Sequence, residues 1–337
     1  MQSKIAVVIL NWNGRKLLQQ FLPDVIRYSA GAQIIVADNG STDDSLEILK
    51  KEFPAVRIIQ NDSNKGFTGG YNEALQFVEA DYFVLLNSDV EVTPNWIEPI
   101  VDLLDSNKEI GACQPKILNY YDKTSFEYAG AGGGYIDYLG YPFCRGRIFN
   151  DLEKDEHQYD DTIPVFWATG ACMFVRSDLY RKLGGLDTQF FAHMEEIDLC
   201  WRMQTAGYKV YYCGKSVVYH VGGGTLPKNN PRKTYLNFRN NLLMIYKNGG
   251  SQKTSILLKR RVFDLLAALK FLITNGRKDA FAVLKAHHDF RKMRKEYPPH
   301  FFENNPKTKL STIYKRSILW DYYLCRRKKH SSLPKND

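Results

Sequence analysis

Residues 33–53 read QIIVADNGSTDDSLEILKKEF, and the change of pattern inside that stretch decides the fold. Gln33 to Asp38 is a short β-branched run, as in a buried strand, whereas Asp43 to Phe53 carries apolar residues three or four apart, as in a helix. Between them stand Asn, Gly, Ser, Thr and Asp, the residues of turns and helix caps. The same unit repeats on both sides, with strands at KIAVVIL (4–10), VRIIQ (56–60) and YFVLLNSD (82–89) and helices at RKLLQQFLPDVIRYS (15–29) and YNEALQFVEA (71–80). Such alternation predicts an α/β fold on a mostly parallel sheet with right-handed crossovers. Ligands in these sheets bind beyond the carboxyl ends of the strands. That rule puts NWNG (11–14), DNGSTDD (38–44), NKGFTGG (64–70) and NSD (87–89) on one rim.

After residue 119 a Tyr/Gly-rich and then acidic segment (119–162) reads as hairpins and loops. VFWATGACMFVRS (165–177) is predicted to be a strand, SDLYRKLGG (177–185) and EEIDLCWRMQTAG (195–207) helices, and YKVYYC (208–213) and SVVYHV (216–221) two strands. Three helical blocks follow at 231–248, 254–273 and 277–297, the last ended by Pro298 and Pro299, and the tail RRKKHSSLPKND (326–337) is expected to be mobile. With 337 residues, 44% apolar and 25% charged, the chain suits one large globular domain with or without an appendage.

Its charge is uneven. Residues 251–337 hold 21 Lys and Arg against 7 Asp and Glu, a net of +14, which leaves 25 against 30, a net of −5, for residues 1–250. The six cysteines form no C-x-x-C pair, so neither a zinc knuckle nor a disulfide framework is indicated and a reducing compartment is expected. The run Ile5 to Leu10 is too short for a signal-peptide core, and the segment around Leu265 to Ile273, interrupted by Lys270, falls short of the roughly 18 residues of a membrane span. These features predict a cytoplasmic protein.

Several rim residues have chemistry to offer. Asp38 follows a strand and precedes a helix, where a carboxylate can accept from a base N–H or a ribose hydroxyl. Asp43, or Ser41, can equally cap that helix. Gly66, Gly69 and Gly70 let backbone approach a ligand, yet the loop matches neither the dinucleotide G-x-G-x-x-G nor the P-loop pattern. Asp89 offers a hard oxygen to a divalent cation, and His220, ending SVVYH before three glycines, is a candidate second ligand as well as a candidate structural histidine. Glu195, Glu196 and Asp198 open a helix, where the dipole favours acids; their apolar surroundings can also raise one carboxyl towards a working base.

In order, VVILNWNG, ADNGSTDDS, NKGFTGGYNEAL, LLNSDVEVTP, TGACMFVRSDLYRKLGGLD, FFAHMEEIDLCWRMQTAGY and VVYHVGGGT resemble the family 2 glycosyltransferases, inverting enzymes of the GT-A fold. The branch they most resemble is the bacterial rhamnosyltransferase-like and galactofuranosyltransferase-like group that builds surface polysaccharide, and the likeness covers about residues 3–250. It implies a Rossmann-like GT-A domain over 1–230, with a basic helical region over 231–325 and the flexible tail beyond 325. It implies a nucleoside-diphosphate sugar as donor, Mg²⁺ or Mn²⁺ as cofactor, and a glycan or lipid-diphosphate-linked glycan as acceptor.

Carried onto this sequence, the resemblance makes Asp38 a contact to the base, with Asn11, Asn39 and Asp43 on the same rim. Asn64, Gly66 and Phe67 line the nucleotide side, and Gly170 and Ala171 lie beside the sugar. Asn87 and Asp89 form the D-x-D-like element, with Asp89 and His220 as metal ligands. The Glu195-Glu196 pair supplies the base, Glu196 standing where an aspartate is usual. Asn87 replaces the first acid of the element, which implies weak metal affinity without donor. Inversion would follow from a single displacement.

The basic helices add Lys259, Arg260 and Arg261, then Arg291, Lys292, Arg294 and Lys295, to an apolar surface. That composition suits either an anionic membrane surface at the inner face of the cell membrane or ordinary packing with solvated charges. No nucleic-acid motif accompanies it, so no nucleic acid is expected as a partner. A non-catalytic nucleotide-sugar-binding partner of another transferase is the alternative reading.

Overall fold

The computed structural model describes residues 3–222, 230–297 and 310–335. Gly223 and Gly224 of the VVYHVGGGT motif, and Pro298 and Pro299, lie outside them. The alternating first part forms as expected: β1 (Ile5–Asn11), α1 (Arg15–Tyr28), β2 (Gln33–Asp38), α2 (Ser45–Glu52), β3 (Arg57–Gln60), α3 (Gly66–Ala74) and β4 (Tyr82–Asn87). β1 and β4 are apolar at almost every position because helices cover both faces of the sheet. β5 (Val90–Val92), α4 (Glu98–Ser106) and β6 (Ile110–Asn119) follow. Short strands β7 (Gly134–Asp137), β8 (Pro142–Cys144), β9 (Arg147–Ile148) and β10 (Asp151–Leu152) then fold into hairpins.

The chain returns to the main sheet with β11 (Thr162–Val165) and β12 (Cys172–Arg176), continues through α5 (Ser177–Lys182) and α6 (Glu195–Thr205), and re-enters as β13 (Lys209–His220). The helices α7 (Pro231–Asn248), α8 (Lys253–Thr274) and α9 (Arg277–Met293) match the three basic blocks, and β14 (Ile313–Tyr314) follows them.

The main sheet runs β11-β13-β6-β12-β4-β1-β2-β3, with β5 also on β13. From β3 to β4 it is parallel, but β12 runs antiparallel to both β4 and β6, and β11 and β5 antiparallel to β13. The expectation of a mostly parallel sheet is therefore corrected to a mixed one. The physical reason is the connection: after β6 the chain comes back through hairpins and loops rather than a covering helix, so no crossover forces strands to run together.

Three local readings also change. NKGFTGG is not a loop before a helix, because α3 starts at Gly66 and contains the glycines. The single strand expected over 165–177 is broken at 166–171, which leaves the ladder before β12 begins. The two strands expected over 208–221 are one, interrupted by an irregularity between Cys213 and Val217.

The described part of the tail expected to be mobile, residues 326–335, packs against a second sheet through a few side chains. β14 extends that sheet, β10-β9-β8-β7-β14, and Leu333 joins the cluster of Phe143, Ile148, Tyr314 and Ile318. The His330 ring lies 5.3 Å from Tyr135 and its backbone N–H donates to Glu153 Oε1. Nor does residue 230 separate two bodies: α7 buries Leu242, Leu243 and Met244 in the same core as Phe83, Tyr180 and Trp201.

Candidate active site

The rim begins with Asn11 and Asp38, paired across β1 and β2. Asn11 Nδ2 donates to Asp38 Oδ2 at 3.1 Å and to Ser41 Oγ at 3.2 Å, while Ser41 N–H donates to Asp38 Oδ1 at 3.0 Å. Asp38 is fully buried, and its carboxylate ties the ends of β1 and β2 to the loop that follows. Asn39 likewise turns inward: Nδ2 donates to Asn64 Oδ1 and Gly66 O, and Oδ1 accepts from Asn61 Nδ2 and Lys65 N–H. Asp43 accepts from the N–H groups of Ser45 and Arg15. Burial would push its carboxyl up, but these bonds outweigh that and hold it below the usual range. All three side chains bond the loops that form the rim. Asn64, by contrast, is exposed at the mouth, where its Oδ1 accepts from Gly66 N–H at 2.9 Å.

At the end of β4 the turn Asn87-Ser88-Asp89 meets the end of β13. His220 Nε2 lies 3.1 Å from Asp89 Oδ1 and 3.4 Å from Asn87 Nδ2, and its Nδ1 lies 3.2 Å from Glu127 Oε2. All but Asn87 are buried. Burial would push the imidazole down, but the two carboxylates raise it to about 10. For Asp89 and Glu127, burial works upwards and the hydrogen bond and charge of His220 outweigh it, leaving both acids below their ordinary values.

Asp89 and His220 therefore stand together as the sequence predicts. One carboxylate and one imidazole form a hard-to-borderline donor pair suited to Mg²⁺ or Mn²⁺, with the remaining positions open to ligand oxygens and water. Among the described residues no group of three or more His, Cys, Asp or Glu side chains could hold an ion unaided. Glu127 places a second carboxylate on the far side of the ring, 3.2 Å from His220 Nδ1, an ion-pair distance without hydrogen-bond geometry.

The acids of α6 divide. Asp198 is a structural anion, bound at 2.8 Å by Arg202, 2.9 Å by Lys247 and 2.8 Å by Asn248. Glu195 and Glu196 instead each keep one buried carboxylate oxygen without a hydrogen-bond partner. Burial pushes both carboxyls up, Glu195 further because of its neighbour's charge, and Glu196 reaches about 7.

The turn before them is strained, since Phe191, His193 and Met194 adopt φ of 65°, 72° and 73°, each costing roughly 1–2 kcal/mol for a non-glycine residue. Helix α7 holds it there. Asn240 Nδ2 donates to the carbonyls of Phe190, Ala192 and His193 at 2.7–2.9 Å, and Arg239 donates to those of Gln189 and Phe190. The Phe191 carbonyl in turn accepts from the N–H groups of Phe67 and Thr68 at the start of α3.

The turn at Gly170 and Ala171 joins the two centres. Ala171 O accepts from Asn87 N–H at 3.0 Å. A methyl group on Gly170 would lie 3.0 Å from Phe67 Cζ and 3.9 Å from Glu196 Cβ. A carboxylate pair of raised pKa thus lies across a glycine turn from a carboxylate–imidazole pair, at the carboxyl edge of the sheet. Residues 6–184, more than half of the chain, match the family model described as Glycosyl transferase family 2.

The chain belongs to glycosyltransferase family 2. Over 245 residues, 67% of this chain and 78% of the relative, this family 2 glycosyltransferase is 26% identical to N-acetylglucosaminyl-diphospho-decaprenol L-rhamnosyltransferase of Mycobacterium tuberculosis. It is 23% identical over 252 residues, 72% of this chain and 76% of the relative, to a low-salt glycan biosynthesis hexosyltransferase of Haloferax volcanii.

Two solved structures share the fold. A mannosyltransferase from Pyrobaculum calidifontis, in complex with GDP-Man and Mn²⁺, superposes with a TM-score of 0.53 at 13% identity over 90% of this chain and 86% of that one. GalNAc-T7 with UDP, GalNAc and Mn²⁺ gives 0.52 at 16% identity over 64% and 43%. The fold is GT-A, as the motifs imply.

Sequence reasoning about this glycosyltransferase missed Glu127, which sits in a loop with no pattern around it. It also passed over Trp12, which follows Asn11 on the rim and is 47% exposed. Asn240 was unreadable for a simpler reason: nothing in NFRNNLL says which carbonyls it will meet.

Proposed function

We propose that this glycosyltransferase is an inverting enzyme that moves a sugar from a nucleoside-diphosphate sugar to a hydroxyl of a lipid-diphosphate-linked glycan, in the cytoplasm, during surface-polysaccharide synthesis. The observation that carries the mechanism is Glu196: a partly buried carboxylate of raised pKa, one oxygen unpartnered, next to the glycine turn that leads to Asp89. The acceptor class follows the mycobacterial relative, whose name specifies a diphospho-decaprenol substrate. The donor class follows the two structural neighbours, which hold a nucleotide or nucleotide sugar with Mn²⁺.

In this reading Glu196 accepts the proton of the acceptor hydroxyl while that oxygen attacks the anomeric carbon from the face opposite the diphosphate. The bond from the anomeric carbon to the diphosphate oxygen breaks, its electron pair leaves with the nucleotide, and the configuration inverts. Base strength near neutral pH is what burial of Glu196 provides. Asp89 and His220 would hold the divalent cation, with Glu127 on the far side of the histidine ring. When bound, that cation supplies charge neutralisation for the leaving diphosphate. Gly170 keeps space open beside Phe67 and Glu196 for the transferring sugar.

The test is a melting panel of UDP, dTDP, GDP and CDP with Mn²⁺, Mg²⁺ or EDTA, followed by NMR of the anomeric configuration of the product. One nucleotide should stabilise in a cation-dependent way, and product and donor should have opposite configurations. Retention would refute the displacement, whereas nucleotide binding without transfer or donor hydrolysis would favour a non-catalytic nucleotide-sugar-binding partner.

A further inference from the structure

Helix α8 is built inside out. Its buried positions include Arg260 and Asp264, whereas the ten exposed positions between Leu258 and Ile273 carry seven apolar side chains, three basic ones and no acid. Leu258, Val262, Leu265, Leu269 and Leu272 recur at alternating spacings of four and three and so share one face. Ile273, at 87%, is among the most exposed.

A buried network fixes that orientation. Arg260 Nε donates to Asp264 Oδ1 at 3.1 Å, and Arg260 also donates to Leu139 O and Asn241 Oδ1. Tyr141 OH donates to Asp264 at 2.9 Å, and His287 Nε2 lies 3.0 Å from the same carboxylate. Turning the helix to hide its leucines would strip these charges of partners, which a buried ion pair does not tolerate. The outward leucines are therefore held outward.

We propose that this face is a docking surface for an anionic lipid bilayer, on which α8 lies in the plane of the interface. Charge decides the occupant. Lys259, Arg261 and Lys270 flank the apolar row, and Arg277 and Lys278 continue it at the start of α9, with both acids of the region, Asp264 and Asp279, buried. In a two-fold pairing with a second copy, parallel helices would set Lys259 against Lys259 and antiparallel ones Arg261 against Lys270, with no exposed acid on the face to offset either. An anionic membrane supplies the missing negative charge.

Aromatic groups sit where a headgroup region would be. Trp320 and Tyr323 are exposed on a short turn beside α8, and Lys270 Nζ donates to Tyr323 OH at 3.0 Å. Tyr and Trp favour such boundaries, with one end apolar and the other wet. Among the described residues no helix is long and apolar enough to cross a membrane, so the geometry is that of a helix lying on the surface.

The experiment is co-sedimentation of the full chain with phosphatidylcholine vesicles, with and without phosphatidylglycerol. The wild type should pellet with the anionic vesicles and be released by salt. Leu265→Glu with Leu269→Glu should weaken partitioning at least tenfold. Lys259→Glu with Arg261→Glu, which leaves the apolar row intact and guards against misfolding of the first variant, should abolish the preference for phosphatidylglycerol. A wild type that stays in the supernatant, or variants that pellet as it does, would overturn the proposal. So would a dimer in light scattering that the leucine variant dissociates, since a second copy would then own the face. The vesicles contain no acceptor and no donor, so this result and the nucleotide melting panel succeed or fail independently.

Discussion

Glu127 Oε2 lies 3.2 Å from His220 Nδ1, on the opposite side of the imidazole from Asp89. The imidazole thus has a carboxylate beside each nitrogen, in hydrogen-bond geometry at Nε2 and at ion-pair distance at Nδ1. Gly222 belongs to the same arrangement, since a methyl group there would meet Glu127 Oε1 at 2.5 Å.

Glu127→Gln should reduce Mn²⁺-dependent nucleotide affinity by about 10–100-fold, the usual effect of losing a carboxylate behind a metal-bound histidine. Calorimetric titration of the nucleotide at fixed Mn²⁺ measures it. An unchanged dissociation constant would show that His220 needs no such support.

Asp89→Ala and Glu196→Gln should both abolish transfer but differ in binding. The first should lose cation-dependent stabilisation by nucleotide; the second should keep it. Near-normal turnover in Glu196→Gln would remove that residue from the role of base and leave Glu195 as the group to examine.

The rise of kcat/KM with pH should have its midpoint near 7, where Glu196 loses its proton. Stability should move the other way. A glutamate at its ordinary value of 4.5 when unfolded and raised to about 7 when folded binds more protons in the native state between those limits. Folding stability from this group is complete below pH 4.5 and lost as pH rises through 7, amounting to about 3 kcal/mol at most. Glu196→Gln should therefore flatten the denaturation free energy between pH 5 and 8, and a profile parallel to wild type would contradict the raised value.

Lys247→Ala should destabilise the protein by about 3 kcal/mol, because it removes a cation from the fully buried Asp198. Lys247 also bonds Asp187 at 2.5 Å, so urea melts should show the loss even without ligand. A change below about 0.5 kcal/mol would mean that Arg202 and Asn248 suffice.

Trp12→Ala should weaken nucleotide binding by about 1–3 kcal/mol, the range for stacking on a base, and leave the melting temperature of the free protein alone, since the indole is already half in water. Equal affinity in the variant would move the base elsewhere on the rim.

The fold and the site differ in how far they could be read from sequence. β1, β2 and β4 announce themselves as unbroken apolar runs because a strand covered on both faces has nothing polar to hide. Asp89 and His220 were legible as strand-end residues of metal-binding type. What failed was direction. The antiparallel insertion of β12 depends on how 119–162 folds back, and Tyr/Gly-rich loops carry no period to read. Asp38 and Asn39 have the chemistry to meet a nucleotide, and residue type alone does not reveal that they also bond Asn11, Ser41 and Asn61. The tail reads differently: RRKK looks solvated, while His330 directly after it finds an aromatic bed supplied by strands nearly two hundred positions earlier.

The grip of Asn240 on the carbonyls of 190–193 has a consequence for recombination among relatives. The family pattern ends at residue 184, before the acids of α6, and the turn that presents them is shaped by a helix that comes after residue 230. A graft that exchanged everything from α7 onward would leave the recipient's strained turn with a foreign clamp. The natural seam for building hybrids is therefore between 184 and 187, so that turn, acids and helix travel as one cassette.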